Sequence, residues 1–312
     1  MKKAYICRIV VFTTVLFILF SMIIFAKPAS SQVQLETIFI LPDGTVNPSN
    51  VPIQNNGNFY TFTDNVYDPI LVQKSNVTID GAGYSLIGPL TEAERKSEPV
   101  LGTGPNTTLP PYIIGLDCDK TVSGLTIKNL NIKNFNVGVY IRTTRNTLVD
   151  NAVSANTVGV LLSGSANKIN RNYIFDNEEG LFFGFEQING STANIPSDID
   201  ISENSFVNNT YQLSGCVCKV YNFSEALHSW DNGNKGNYWS DYNGTDANHD
   251  GIGDTYYRID VLNQDRYPLM QSTAKLPDLA AKVPAEAIIL GVSATVIVAL
   301  AAVVYMRRRK KI

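Results

Sequence analysis

The sequence predicts an all-β solenoid of parallel strands, wound in coils of about 21 residues, and three observations predict it. The first is a fixed period. Ile127, Leu148 and Ile169 lie 21 residues apart (148 − 127 = 169 − 148 = 21), and so do Gly138, Gly159 and Gly180. A short constant period marks a repeat architecture. The second is the pattern inside each repeat. Counted from Ile127, Leu148, Ile169 and Ile201, the sixth position reads Ile132, Val153, Ile174, Phe206, and the thirteenth reads Val139, Val160, Leu181, Leu213. Apolar and polar residues alternate over short runs broken by Asn and Gly, which is strand and turn chemistry. The third is Asn at the fourth position (Asn151, Asn172, Asn204) and at the ninth (Asn156, Asn177, Asn209). Asn tolerates left-handed turns and can bond its own copy in the next coil, which suits stacked corners. Coils this short cannot bury their own apolar side, but stacked about 4.8 Å apart they share one core.

Taken in order, residues 1–31 read as a secretory signal: Lys2, Lys3 and Arg8, an apolar run over 9–26, then the small residues Ala29 and Ser31. The run is long enough to be either cleaved or kept as an anchor. Residues 32–75, rich in turn signals (PDG, NPSN, NNGN, TDN), predict an N-terminal cap with short strands at 37–41 and 58–62. An uncovered first coil would present an edge that recruits other strands. The solenoid proper is expected over 76–218, its first coil opened by 76–88 and completed by 112–118, with Gly115 in the place of Gly138. Two long excursions, 89–111 and 186–197, are expected to leave the same end of the repeat; loops of such length are usually functional or disordered. Residues 219–271, with Trp230, Tyr238, Trp239 and Tyr242, predict a C-terminal cap, and 272–284, with Pro277 and Pro284, a stalk. A transmembrane helix is expected over 285–306, where an apolar run of 19 residues (306 − 288 + 1) precedes Arg307, Arg308, Arg309, Lys310 and Lys311. The positive-inside rule puts that basic tail in the cytoplasm and the solenoid outside. A net charge of −3 leaves no basic excess for nucleic acid. Six Asn-x-Ser/Thr sequons, at Asn76, Asn106, Asn189, Asn208, Asn222 and Asn243, agree with an external domain but arise easily in so Asn-rich a chain.

The stretch FYTFTDNVYDPILVQKSNVTIDGAGYSLIG (59–88), and GNYWSDY, DGIGDTYY and NQDRYPLM within 236–270, carry a resemblance. They look like the opening and closing segments of NosD-like right-handed parallel β-helices, proteins of the carbohydrate-binding and sugar-hydrolase type built from PbH1 repeats. The resemblance covers roughly 36–270 and implies the right hand of the helix, an archaeal or bacterial surface location, and a glycan as partner. The family name is also associated with copper maturation of a periplasmic reductase. Copper draws on His, Met and Cys, and outside the membrane segments the chain offers only His228, His249, Met270, Cys118, Cys216 and Cys218, without clustered spacing. Copper is therefore the least supported association. Cys118 lies four coils from Gly215, roughly 19 Å at the coil spacing, so it cannot bridge to Cys216.

Four sets of residues could carry chemistry. The third positions, Asn129, Asp150, Arg171 and Glu203, stack an acid, a base and an acid on one face. Asp150, Arg171 and Glu203 are the catalytic candidates for a polysaccharide lyase, hydrolase or epimerase, which needs a proton carrier beside a charge stabiliser. The same stack reads equally as a charge ladder between coils. The fourteenth positions, Tyr140, Leu161 and Phe182, flanked by Asp117 and Ser214, should point outward by pleat alternation. They form a candidate carbohydrate platform unless an excursion or cap covers them. TIDGAG (78–83), which resembles a motif of pectin-active β-helices, predicts a tight corner at Gly81 and Gly83 capped by Asp80. Finally, DANHDGIGD offers calcium-loop ligands at Asp246, Asn248, Asp250, the Ile252 carbonyl and Asp254, with Asp241 or Asp260 as a further donor. Tyr257 stands where an EF-hand has its bidentate Glu, so a metal-free Asx-turn loop is the competing reading. The whole predicts a membrane-anchored, extracellular glycan-binding or structural module without a recognisable catalytic set.

Overall fold

The chain winds with the period its sequence predicts. The computed structural model describes residues 35–97, 112–184, 186–188, 191–193, 196–215, 227–260 and 262–273. All but Leu35 belong to one unit. Each coil has three sides. The first short side stacks Thr126–Lys128, Thr147–Val149, Lys168–Asn170 and Asp200–Ser202. The second stacks Asn131–Lys133, Ala152–Ser154, Tyr173–Phe175 and Ser205–Val207. The long side stacks Ile114–Cys118, Val137–Ile141, Val158–Leu162, Glu179–Phe183 and Tyr211–Gly215. These strands pair in parallel, and the expected partners meet: Ile127, Leu148, Ile169 and Ile201 on the first side, Ile132, Val153, Ile174 and Phe206 on the second, Val139, Val160, Leu181 and Leu213 on the long side. All except the partly buried Leu213 are at most 1% exposed. The architecture is an all-β, solenoid-like stack of parallel strands, compatible with a β-helix.

Corners turn on single left-handed residues. Asn129, Asp150, Arg171 and Glu203, all with φ between +51° and +58°, turn the chain from the first short side to the second. The next residue then points inward, and there the Asn ladder forms. Asn151 donates Nδ2 to Asn172 Oδ1 (3.0 Å), Asn172 to Asn204 (3.0 Å) and Asn204 to Asn237 (3.0 Å), while each backbone N–H bonds the same oxygen. Leu130 occupies the fourth position of the first repeat because the ladder begins there with its backbone N–H, which donates to Asn151 Oδ1 (3.1 Å). The ninth-position ladder runs Asn156, Asn177, Asn209. A third ladder, Asn146 to Asn167 (3.1 Å), also spaced by 21, stands at the remaining corner. Buried backbone donors that miss a strand partner must be satisfied otherwise, and these amides do it. Gly recurs at the twelfth position for a different reason: a Cβ on Gly138, Gly159 or Gly180 would lie 2.6–2.7 Å from the carbonyl oxygen of the next coil.

Two boundaries differ from the sequence expectation. Parallel winding starts before residue 76: Tyr60 pairs with Ile79, Val66 with Leu86 and Ile70 with Leu116, a complete earlier coil. Among the described residues the cover is Ile38–Ile40 parallel to Ile70–Val72 with Val46–Asn47 antiparallel beside it, and Ile53–Asn56 antiparallel to Phe59–Phe62. The two excursions also leave from opposite ends of the long side. The first follows Ser85–Ile87 on the second short side, where Gly88 N–H bonds Lys133 O (2.8 Å); the second follows Glu179–Phe183 on the long side. They flank one face rather than share one edge. Gly115 does replace Gly138, and Cys118 is a buried free thiol. No helix among the described residues is long and apolar enough to cross a membrane. The signal segment 1–31, the apolar run 288–306, the basic tail, Cys216 and Cys218 lie outside the described residues.

Candidate functional site

The third-position stack is a surface pairing. Arg171 donates Nε and Nη2 to the two carboxylate oxygens of Asp150 (2.8 and 2.9 Å), with the two side chains 48% and 44% exposed. Its hydrogen bond to Asp150, with Glu203 nearby, holds the Arg171 guanidinium above its usual range. Glu203 Oε1 accepts from Asn232 Nδ2 (3.1 Å). Asp150 and Arg171 are thus engaged with each other on an open corner, not in a cleft. The TIDGAG corner behaves as its residues predict: Asp80 Oδ1 accepts from Ala82 N–H (2.9 Å) and Asn129 Nδ2 (3.1 Å). Burial pulls the Asp80 carboxyl up, but these donors and Lys128 hold it below the usual range.

The fourteenth-position stripe points away from the main core but is mostly covered. With Val137, Val158 and Ile114, Tyr140, Leu161 and Phe182 form a separate apolar cluster on the outer long side. Leu161 and Phe182 are only 7% and 4% exposed, so their faces offer no open platform; this corrects the expected exposure. Two nearby segments approach this side of the sheet. Thr157 Oγ1 donates to Arg95 O (3.2 Å) in the short helix Glu92–Ser97, and the chain at Gly184 passes against Leu161 and Phe182. Half-buried Tyr140 lies under the Arg142 guanidinium (4.1 Å to its ring centre), and Arg142 pairs with Asp117 (2.6 Å).

In the oxygen-rich loop the carboxylates point at amides. Asp246 accepts from the N–H groups of Asp250 (3.1 Å) and Gly251 (3.0 Å), Asp250 from Ile252 (2.9 Å), and Asp254 from Ala247 (2.9 Å). Asn248 bonds Asp250 (2.9 Å). Asp241 and Asp260, the two candidate further donors, are engaged elsewhere, with Tyr257 and Asn263. Among the described residues no three His, Cys, Asp or Glu side chains converge as metal ligands would.

One opening was not foreseen. A cavity of about 470 Å³ lies between the last long strand and the C-terminal cap, lined by Tyr211, Gln212, Ser214, Asp241, Tyr257 and Arg258 among others. It lies where, among the described residues, the long side has no further strand. In a regular coil the thirteenth position follows the sixth by seven residues (139 − 132 = 7), so the coil with Trp239 at its sixth position would place Asp246 on the long side. Asp246 instead opens the oxygen-rich loop. The two short sides continue into the cap, through Ser229 beside Asp200 and Trp239 beside Phe206, whereas Tyr211–Gly215 ends its sheet among the described residues. Tyr257, which lines it, is the outer ring of a stack that continues inward through the buried Trp239 and Phe206, with ring centres 4.3 and 4.5 Å apart. Burial, with Asp241 next to it, pushes the Tyr257 phenol up. Its hydroxyl donates to Asp241 (3.2 Å). Behind the floor lies Glu179, 2% exposed, whose carboxyl accepts from Ser214 Oγ and is pushed up by burial. One acid, one base, several amides and hydroxyls and an aromatic face suit a neutral polyhydroxylated ligand better than a charged one. The cavity's volume is in the usual range for ligand sites.

The closing motif NQDRYPLM ties the cap down. Asp265, fully buried, accepts from Asn237 N–H (2.6 Å) and Trp239 Nε1 (2.9 Å) and so ends the fourth-position ladder. Burial raises its carboxyl to about 6 against the pull of these donors. Asn263 accepts from Trp230 Nε1 (3.2 Å), and Arg266 pairs with Asp231 (2.7 Å). The sequence marks these residues as a motif but cannot say what they hold. Fold and cavity together define a class, an all-β parallel-strand solenoid with an end cavity. No family model matches this chain, and none of the curated proteins matches it in sequence.

Proposed function

We propose that this chain is a membrane-anchored, extracellular right-handed parallel β-helix of the NosD-like type, acting as a non-catalytic glycan-binding or structural module at the cell surface. The hand, the family type, the secretory signal and the 285–306 anchor come from the sequence. The observation that supports a glycan ligand is the end cavity, whose Tyr211 and Tyr257 rings and amide and hydroxyl lining match the alternating apolar and hydroxylated surfaces of a sugar. The lyase, hydrolase or epimerase reading has less behind it, because Asp150 and Arg171 are spent on each other at a solvent-exposed corner. Calcium belongs to the proposal as a ligand of the 246–254 loop, where Gly251, with φ +86°, occupies the turn that such loops require. A calcium-dependent rise in Tm, absent in Asp250→Asn, is the expected result.

The test takes the full chain in mild detergent against neutral and uronic-acid polysaccharides, scoring retention and new chain ends together. Retention without new ends, weakened about tenfold or more by Tyr211→Ala, is the expected outcome. New chain ends that disappear in Asp150→Asn or Arg171→Ala would instead make the protein an enzyme.

A further inference from the structure

A carboxyl replaces an apolar residue in one column of the outer long side. Down that column run Ile114, Val137, Val158, Glu179 and Tyr211, paired coil to coil. Glu179 is as buried as its apolar neighbours, yet its carboxyl must be satisfied where no water reaches. The partner is Ser214, one coil on, and both Ser214 and Tyr211 line the cavity. A serine hydroxyl has one proton, and a carboxylate only accepts. Committed to Glu179, the Ser214 proton is not available to a ligand, and Ser214 Oγ is left as an acceptor on the cavity side.

We propose that Glu179 and Ser214 set the hydrogen-bond sense of the cavity: Ser214 Oγ receives a hydroxyl that donates, so the site selects a free sugar hydroxyl over an acceptor of the same size. Ser214 is the specificity residue and Glu179 the residue that positions its proton. The inference rests on the glycan reading and deepens it. Nearby groups reinforce the same sense: Gln212 Nε2 is already given to Ser240 Oγ (2.9 Å), and the Tyr257 hydroxyl proton to Asp241. Part of the donor capacity on this wall is thus used within the protein, while the Arg258 guanidinium also lines the cavity.

The experiment uses the full chain in detergent and the methyl glycosides of glucose, galactose, mannose and xylose, each with its mono-deoxyfluoro analogues, read by fluorine NMR and competition. Fluorine keeps the size of a hydroxyl but cannot donate. Replacing one particular hydroxyl should weaken binding to the unmodified protein about tenfold. That penalty should fall below about threefold in Ser214→Ala, and likewise in Glu179→Gln, whose amide can donate and frees the serine proton. Ser214→Ala, at a half-exposed position, keeps the test alive if the buried Glu179→Gln fails to fold. Binding with the same fluorine penalties in wild type and both variants would overturn the proposal and leave the glycan reading standing. No binding of any methyl glycoside would also overturn it, and retention of polysaccharide by the same chain then tells whether the wider reading falls too.

Discussion

Asp150 and Asn151 are neighbours in sequence, both repeat with the coil, and both meet a partner 21 residues on, yet they do opposite work. The Asp150–Arg171 pair sits in solvent, where each ion trades water for the other at little net gain. Asn151 and Asn172 are at most 1% exposed, and each of their bonds replaces water that cannot enter. Removing one therefore leaves buried groups unpaired, which costs about 1–3 kcal/mol for each. The same spacing thus yields a decorative column and a structural one, and burial alone separates them.

The comparison breaks first, if at all, at Asn172→Ala. This change strands the Asn151 backbone N–H and removes the bonds of Asn172 to the Asn151 amide and to the carbonyls of Leu148 and Asn170. We expect a loss of about 3–5 kcal/mol in urea unfolding; a loss under about 1 kcal/mol would put the inner ladder on a par with the outer one.

Next comes the end of the ladder. The side-chain amides align with their NH2 groups toward the C-terminal end, so the last one, Asn237, requires an acceptor and meets Asp265. The Asp265 carboxyl holds its proton to about pH 6 in the folded state against 3.8 unfolded. The folded state therefore binds more protons between those values, and this contribution to stability, present below pH 3.8, is lost as pH rises through 6. Its size is about 3 kcal/mol. Comparing wild type with Asp265→Asn at pH 4 and pH 7 isolates it: the variant should lose the downward slope, and equal slopes would show that Asp265 titrates normally.

The outer apolar cluster should be intermediate. Phe182→Ala removes a ring that is 4% exposed but packed in the outer cluster rather than the stacked core, and a loss of about 2 kcal/mol is expected, below the about 3–5 kcal/mol of Phe206→Ala in the interior. Equal losses would mean that the outer cluster packs as tightly as the interior. The smallest effect is the surface pair. A double-mutant cycle on Asp150→Ala and Arg171→Ala should give a coupling under about 1 kcal/mol, weakened by added salt. A larger, salt-insensitive coupling would reopen the catalytic reading of that corner.

Particular residues show why some of this was legible in the sequence. Ile127, Leu148 and Ile169 announce their stacking because a strand facing a core permits only apolar side chains, and Asn at the fourth and ninth positions announces a corner because few residues combine a left-handed neighbour with four hydrogen-bond sites. The Asn146–Asn167 ladder carried the same 21-residue signal and was legible in principle. By contrast, nothing in Leu161 and Phe182 reveals that they are buried on the outer side or that the chain at Gly184 runs beside them. The opposite departure points of the excursions were likewise hidden, since a break in a repeat does not name the side on which it occurs until the pairing of Gly88 and Lys133 is seen.

The amino-acid sequence alone thus determined the period, the register, the inward columns and the corner chemistry, all of which are local or repeat at one fixed interval. Only the tertiary structure decided that the outer stripe is covered, that Asp265 ends the Asn ladder, and that the long side, having among the described residues no strand after Tyr211–Gly215, borders a cavity backed by Glu179. Each of these depends on contacts between segments with no common period, and burial there is set by the position of a distant stretch of chain rather than by the residues buried.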